Sequence, residues 1–268
     1  MLKLIGILLS LLLIFNWAEP VFAQTQISLI TNEELKIGDE LAKKAFTAMS
    51  RGDLEGAETY WTQIIEKFPT NPAAWSNRGN LKISQNKLED AVTDFDRAIE
   101  LAPNITDSYL NRGTAFEGLG RWDDAIADYN YVLKLDPNDA MAYNNRGNAY
   151  GGLGKWDLAI ADYQKSMKID PKFSLARANY AFALYELGKK EQATREIKNI
   201  VRKYPQSADM RAALTVVLWA AGKRGEAESN WVAAYGIDRR YKDIDWVKNI
   251  RRWPPSMVAG LEKFLKIK

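Results

Sequence analysis

The chain has 268 residues, with 37 Lys/Arg against 34 Asp/Glu and neither histidine nor cysteine. The missing residue types exclude disulfides, thiol chemistry and the usual zinc ligands, and no glycine-rich phosphate loop or metal-ligand spacing stands in their place. A formal charge of +3 makes no case for nucleic acid as a partner.

Residues 1–23 read as a secretory signal peptide. Lys3 supplies the positive start, residues 4–15 are apolar apart from Gly6 and Ser10, and Val21-Phe22-Ala23 is a small-residue cleavage site before Gln24. An uncleaved anchor is the competing reading, opposed by a run short for a bilayer and by Asn16, Glu19 and Pro20 at its far end. Cleavage after Ala23 leaves an exported protein of the periplasm or thylakoid lumen. Residues 24–37 lead into the first helix, where Thr31 and Glu34 have the spacing of a capping box and the helix runs to about Arg51.

From residue 38 the chain repeats itself every 34 residues. Three copies are nearly verbatim: Trp75-Ser76-Asn77-Arg78-Gly79-Asn80, Tyr109-Leu110-Asn111-Arg112-Gly113-Thr114 and Tyr143-Asn144-Asn145-Arg146-Gly147-Asn148. Each is followed by a small residue (Ala91, Ala125, Ala159), an aromatic four later (Phe95, Tyr129, Tyr163) and a closing proline (Pro103, Pro137, Pro171). Extending the phase outward gives six units, 38–71, 72–105, 106–139, 140–173, 174–207 and 208–241, the first and last the most degenerate. A period of this length predicts an all-α solenoid of antiparallel helix pairs. Gly52, Asn86, Gly120, Gly154, Gly188 and Gly222 mark the turn inside each pair, and the proline ends the second helix. The small residues at Gly79 and Ala91 are expected where the two helices of a pair come close.

This spelling resembles the tetratricopeptide repeat family over about three quarters of the chain. The resemblance implies a right-handed superhelix with capping helices at both ends and a concave groove lined by the first helix of each pair. It also implies a non-catalytic scaffold that holds a protein or peptide segment, with no cofactor. The leader and the Trp-Pro-Pro tail resemble exported repeat proteins of cyanobacteria and chloroplasts. That likeness implies a part in assembling or maintaining a photosynthetic membrane complex. The alternative is an accessory or substrate-positioning subunit of an enzyme in the same compartment.

Asn77, Asn111, Asn145 and Asn179 recur at one position, with Asn80 and Asn148 three residues further on. These amides form a ladder able to bond an extended peptide backbone, or else to bond neighbouring helices; both readings stand. Phe182, Tyr185 and Trp219 continue the same face as an apolar patch, either open to a ligand or covered by the C-terminal segment. Arg78, Arg112 and Arg146 occur only in units that also carry Asp94, Asp128 and Asp162, which favours ion pairs within each unit over a basic ladder for an acidic ligand. The carboxylate clamp of some family members needs cations where this chain has Ser76, Asn80, Met141 and Asn145 around Asn111, so no such clamp is expected.

Beyond Ile237, Arg239 stands where proline belongs, and residues 239–268 hold nine Lys/Arg against three Asp/Glu. Asp243 to Arg252 is expected to form one helix, and Ser256 to cap a last one bearing Met257, Leu261, Phe264 and Leu265. Residues 242–268 either cap the array or dock on a membrane face or an acidic protein.

Overall fold

The computed structural model describes residues 31–267. Twelve helices follow one another as six pairs: α1 (Asn32–Ser50) with α2 (Leu54–Lys67), α3 (Pro72–Ser84) with α4 (Leu88–Leu101), and α5 (Thr106–Gly118) with α6 (Trp122–Leu135). They continue as α7 (Ala140–Gly152) with α8 (Trp156–Ile169), α9 (Ser174–Glu186) with α10 (Lys190–Lys203), and α11 (Ala208–Ala220) with α12 (Arg224–Ile237). A 3₁₀ turn (Arg239–Lys242), a short α13 (Ile244–Asn249) and α14 (Pro255–Leu265) complete the described chain. The leader at 1–23 lies outside the described residues.

Local signals produce these elements. Thr31 and Glu34 exchange hydrogen bonds at the start of α1, which satisfies two backbone donors that would otherwise face solvent alone. The turn between paired helices is a Schellman closure: Arg121 N–H bonds Phe116 C=O at 2.9 Å, and Gly120 sits at φ +70° between them. Asn86 takes the same conformation at φ +60°. At the other end, the residue before each proline is forced out of helix, as at Asp136 with φ −127° and ψ 94°.

Packing inside a pair rests on a ring seated over a glycine. A Cβ built at Gly113 would come within 2.5 Å of the Tyr129 ring; the same ring-on-glycine contact joins Gly79 to Phe95 and Gly147 to Tyr163. What the glycine accommodates is therefore an aromatic side chain rather than bare helix backbone. Each pair packs on the next, and first helices also touch one another, α3 with α5, α5 with α7 and α7 with α9. The array therefore curves with the first helices inside.

The tail departs from expectation. The helix begun at Asp243 stops at Asn249, and Arg252 adopts φ +54° to turn the chain into Trp253-Pro254-Pro255. Ser256 does not cap α14, because Pro254 occupies the N-cap position. Instead, Ser256 N–H and Oγ both donate to the Glu186 carboxylate, at 2.8 and 2.9 Å. The tail then lies along α11 and α9, so one stretch of each is buried on every side: residues 212–218 and 181–185 are buried without a break. A fully covered helix needs no amphipathic stripe, and the Ala-Ala-Leu-Thr-Val-Val-Leu run of α11 has none.

Candidate functional site

The three repeated arginines are consumed inside the array. Arg112 Nε and Nη2 hold Asp128 bidentately at 2.9 and 2.6 Å, while its third nitrogen reaches Asp96 on the preceding pair at 2.6 Å. Arg78 grips Asp94 and Thr62 in the same way, and Arg146 grips Asp162 and Asn130. Each guanidinium also lies 5.0 to 5.5 Å from the ring three residues before it, Trp75, Tyr109 or Tyr143. One side chain thus ties three helices together. Burial opposes the charge on Arg112, yet the hydrogen bond and charge of Asp128 raise its pKa above the usual arginine value. In the fifth and sixth pairs the cation moves back one turn, where Arg177 faces Glu196 at 3.7 Å and Arg211 meets Asn230 at 3.3 Å.

The asparagine ladder divides in two. Asn179 donates to Asn144 and Asn148, both at 3.0 Å, Asn144 donates to Asn145 at 3.1 Å, and Tyr163 donates to Asn148 at 3.0 Å. Asn145, Asn148 and Asn179 are thereby partnered within the fold. Asn77, Asn80 and Asn111 are half-buried on α3 and α5, and among the described residues their side-chain amides make no hydrogen bond. The apolar continuation is covered as well. Phe182 packs on Trp253 with centroids 5.4 Å apart, Trp219 meets Phe264 edge-on at 5.2 Å, and Tyr185 is buried in the same cluster. Asp209 fastens this cover by accepting hydrogen bonds from Tyr241, Arg251 and Trp253. The open inner surface is consequently that of the first four pairs.

Three features of the fold have no counterpart in the repeat motifs. The first is Glu117, buried at the end of α5 and bonded by the Tyr129 hydroxyl at 2.6 Å. Burial drives its pKa up to about 7, against the Tyr129 hydrogen bond and the charge of Arg252. Because the unfolded value is near 4.5, the native carboxyl stays protonated while the unfolded one ionises. The contribution of this carboxyl to stability is therefore full below pH 4.5 and is lost as pH rises to about 7. Glu117→Gln keeps the acceptor oxygen and removes the ionisation. At pH 8 it is expected to raise unfolding free energy by at most about 3 kcal/mol, since each tenfold difference in proton affinity between the two states is worth about 1.4 kcal/mol. At pH 4.5 it is expected to change little. Urea titrations at the two pH values check this, and equal effects at both would reject it.

The second is a division of charge that the near-neutral total conceals. Residues 32–173 carry 17 Lys/Arg against 23 Asp/Glu, whereas residues 174–268 carry 19 against 10. Counting charge by unit exposes it. The third is a cavity of about 350 Å³ where the 170–173 linker meets the end of α10, lined by Lys172, Ser174, Arg177, Arg202, Lys203 and Tyr204 among others. Its signal in the sequence is Arg177, which breaks the series Trp75, Tyr109, Tyr143.

Comparison with known proteins agrees with this geometry. Models described as tetratricopeptide repeat match residues 72–105, 140–173 and 179–207, and one described as TPR repeat matches 118–154. No curated protein sequence matches the chain. Among solved structures, a tetratricopeptide repeat protein from Parabacteroides merdae is 21% identical, with 87% of this chain and 93% of that one covered and a TM-score of 0.66. MamA from Desulfovibrio magneticus, from residue 41 to its end, is 19% identical over 67% of this chain and 99% of its own, with a TM-score of 0.59. YrrB, described as a TPR protein with an unusual peptide-binding site, is 21% identical over 67% and 92%, with a TM-score of 0.50. At these identities the likeness is one of fold.

Proposed function

We propose that this chain, in which models of the tetratricopeptide repeat match four segments, is a non-catalytic scaffold, exported after cleavage at Ala23, that holds an extended segment of a partner protein against α3 and α5. The observation that carries this reading is the set of unpaired amides at Asn77, Asn80 and Asn111, facing the open inner surface while their counterparts further along are bonded internally. These amides are reachable from solvent and uncommitted within the fold, and a peptide backbone offers them both donor and acceptor. YrrB, of the same fold, carries a peptide-binding site in its description. The acidic excess of residues 32–173 selects a segment of positive charge.

The test is recovery of partners from the native compartment by the wild-type chain, by Asn77→Ala/Asn111→Ala and by Asn145→Ala/Asn148→Ala. Losing two hydrogen bonds of about 0.5–1.5 kcal/mol each predicts at least a fivefold drop in binding for the first variant. The second, whose amides are occupied within the fold, retains binding but melts earlier. Equal recovery by wild type and the first variant rejects the groove assignment. A purified native chain that begins at residue 1 rejects cleaved export.

A further inference from the structure

The cavity at the 170–173 linker arises where a recurring plug is missing. In the second pair, Trp75 fills the corresponding space and donates its indole N–H to Pro69 C=O at 2.9 Å. In the third, Tyr109 lies on Tyr131 with centroids 4.3 Å apart, and in the fourth Tyr143 lies under Lys165. In the fifth pair Arg177 replaces the ring, Asn199 stands where Tyr131 and Lys165 stood, and the space stays open. It is an open surface pocket of about 350 Å³, with Lys172, Ser174, Arg202 and Lys203 exposed around it.

Its walls carry one sign of charge. Lys172, Arg177, Arg202 and Lys203 line it, and no carboxylate does. Two acids bond lining residues without lining the pocket themselves: Glu196 is 3.7 Å from Arg177, and Asp170 accepts the Lys172 backbone N–H. Arg202 bonds only the neutral Asn199 side chain, and Lys203 lies over the Tyr204 ring. A second pocket, about 440 Å³ beside α1, mixes Lys43, Lys44 and Arg51 with Glu40 and Asp53 and so has no such excess. Basic residues in the last turn of a helix commonly offset its dipole, which accounts for Arg202 and Lys203. It does not account for Lys172, nor for Arg177, which faces Glu196 on one side and the open space on the other.

We propose that this cavity binds a phosphate-type dianion. Arg177 and Arg202 supply planar paired donors, Lys172 and Lys203 supply point charges, and the Ser174 hydroxyl completes a set of donors around an oxyanion. The net positive charge of residues 174–268 raises the local concentration of such an anion. The site lies apart from the amides of α3 and α5, so its fate is independent of the scaffold reading.

The test uses the full chain and inorganic phosphate, titrated at fixed ionic strength and followed by amide chemical shifts and melting temperature. Arg177→Tyr restores the plug found in the preceding pairs. It is expected to weaken phosphate binding at least tenfold without lowering the melting point of the phosphate-free protein. Lys172→Gln/Lys203→Gln is expected to weaken binding similarly, while Lys242→Gln/Lys248→Gln, with the same loss of charge elsewhere on the basic half, changes it less than twofold. A second arm measures co-sedimentation with phosphatidylcholine vesicles containing phosphatidic acid. Vesicle binding that Arg177→Tyr abolishes, without binding of free phosphate, keeps the site and assigns the phosphate to a lipid headgroup. Equal losses in the cavity and control variants, or no binding in either arm, overturn the proposal.

Discussion

Asp128→Ala is expected to destabilise the array by about 3–5 kcal/mol, the usual cost of removing one partner from a buried ion pair. The reason lies in what is left behind. Arg112 would keep Asp96, whose side chain is half exposed, and lose the bidentate partner that is nearly enclosed with it between α5 and α6. At 2–4 °C per kcal/mol for a chain of this size, the midpoint falls by roughly 6–20 °C. Arg112→Met with Asp128→Leu removes both charges and is expected to cost much less, since the desolvated pair recovers little net energy against well-packed apolar side chains. Thermal melts of the single and double variants, with a denaturant slope to detect partial unfolding of the repeats, check the pair. A double variant as unstable as Asp128→Ala would show that shape at this junction, not charge, is what holds the helices.

Phe264→Ala should cost about 3–5 kcal/mol, as for other fully buried aromatic residues cut to alanine. Phe264 is wholly buried between Trp219 on α11 and Trp231 on α12, with ring centroids 5.2 and 5.6 Å away. Removing residues 255–268 entirely goes further, because it uncovers the continuous apolar runs of α9 and α11. That truncated chain is expected to bind a hydrophobic dye and to elute as aggregates in size-exclusion chromatography. A monomeric truncated chain with unchanged melting behaviour would show instead that α14 is a detachable arm.

Most of the helical architecture was legible from the 34-residue period, because each position does one local job that a residue type advertises. Pro137 follows the end of α6 and Gly120 supplies the left-handed turn after α5, whereas Gly113, expected only to let two helices come close, seats the Tyr129 ring. The pairing of Arg112 with Asp128 was legible too, through their joint appearance in three units. What the sequence concealed is long-range. Nothing local says that Ser256 reaches Glu186, 70 residues earlier, or that Arg252 turns left-handed, since both depend on where the tail lands. The same landing decides that Phe182, Tyr185 and Trp219 are covered while Asn77 and Asn111 are not. Identical letters at one repeat position therefore have different fates at the two ends of the array.

The stitching of Tyr241, Arg251 and Trp253 to Asp209 has a consequence for how copies of this molecule can associate. Solenoids grow by adding identical layers to a bare terminus, and head-to-tail addition with no closing rotation yields open filaments. Here α14 lies across α9 and α11, with Phe264 reaching Trp231 of α12, so part of the face on which a further layer would build is already occupied. Head-to-tail growth from that end would first have to lift the Phe264 ring off Trp219 and Trp231.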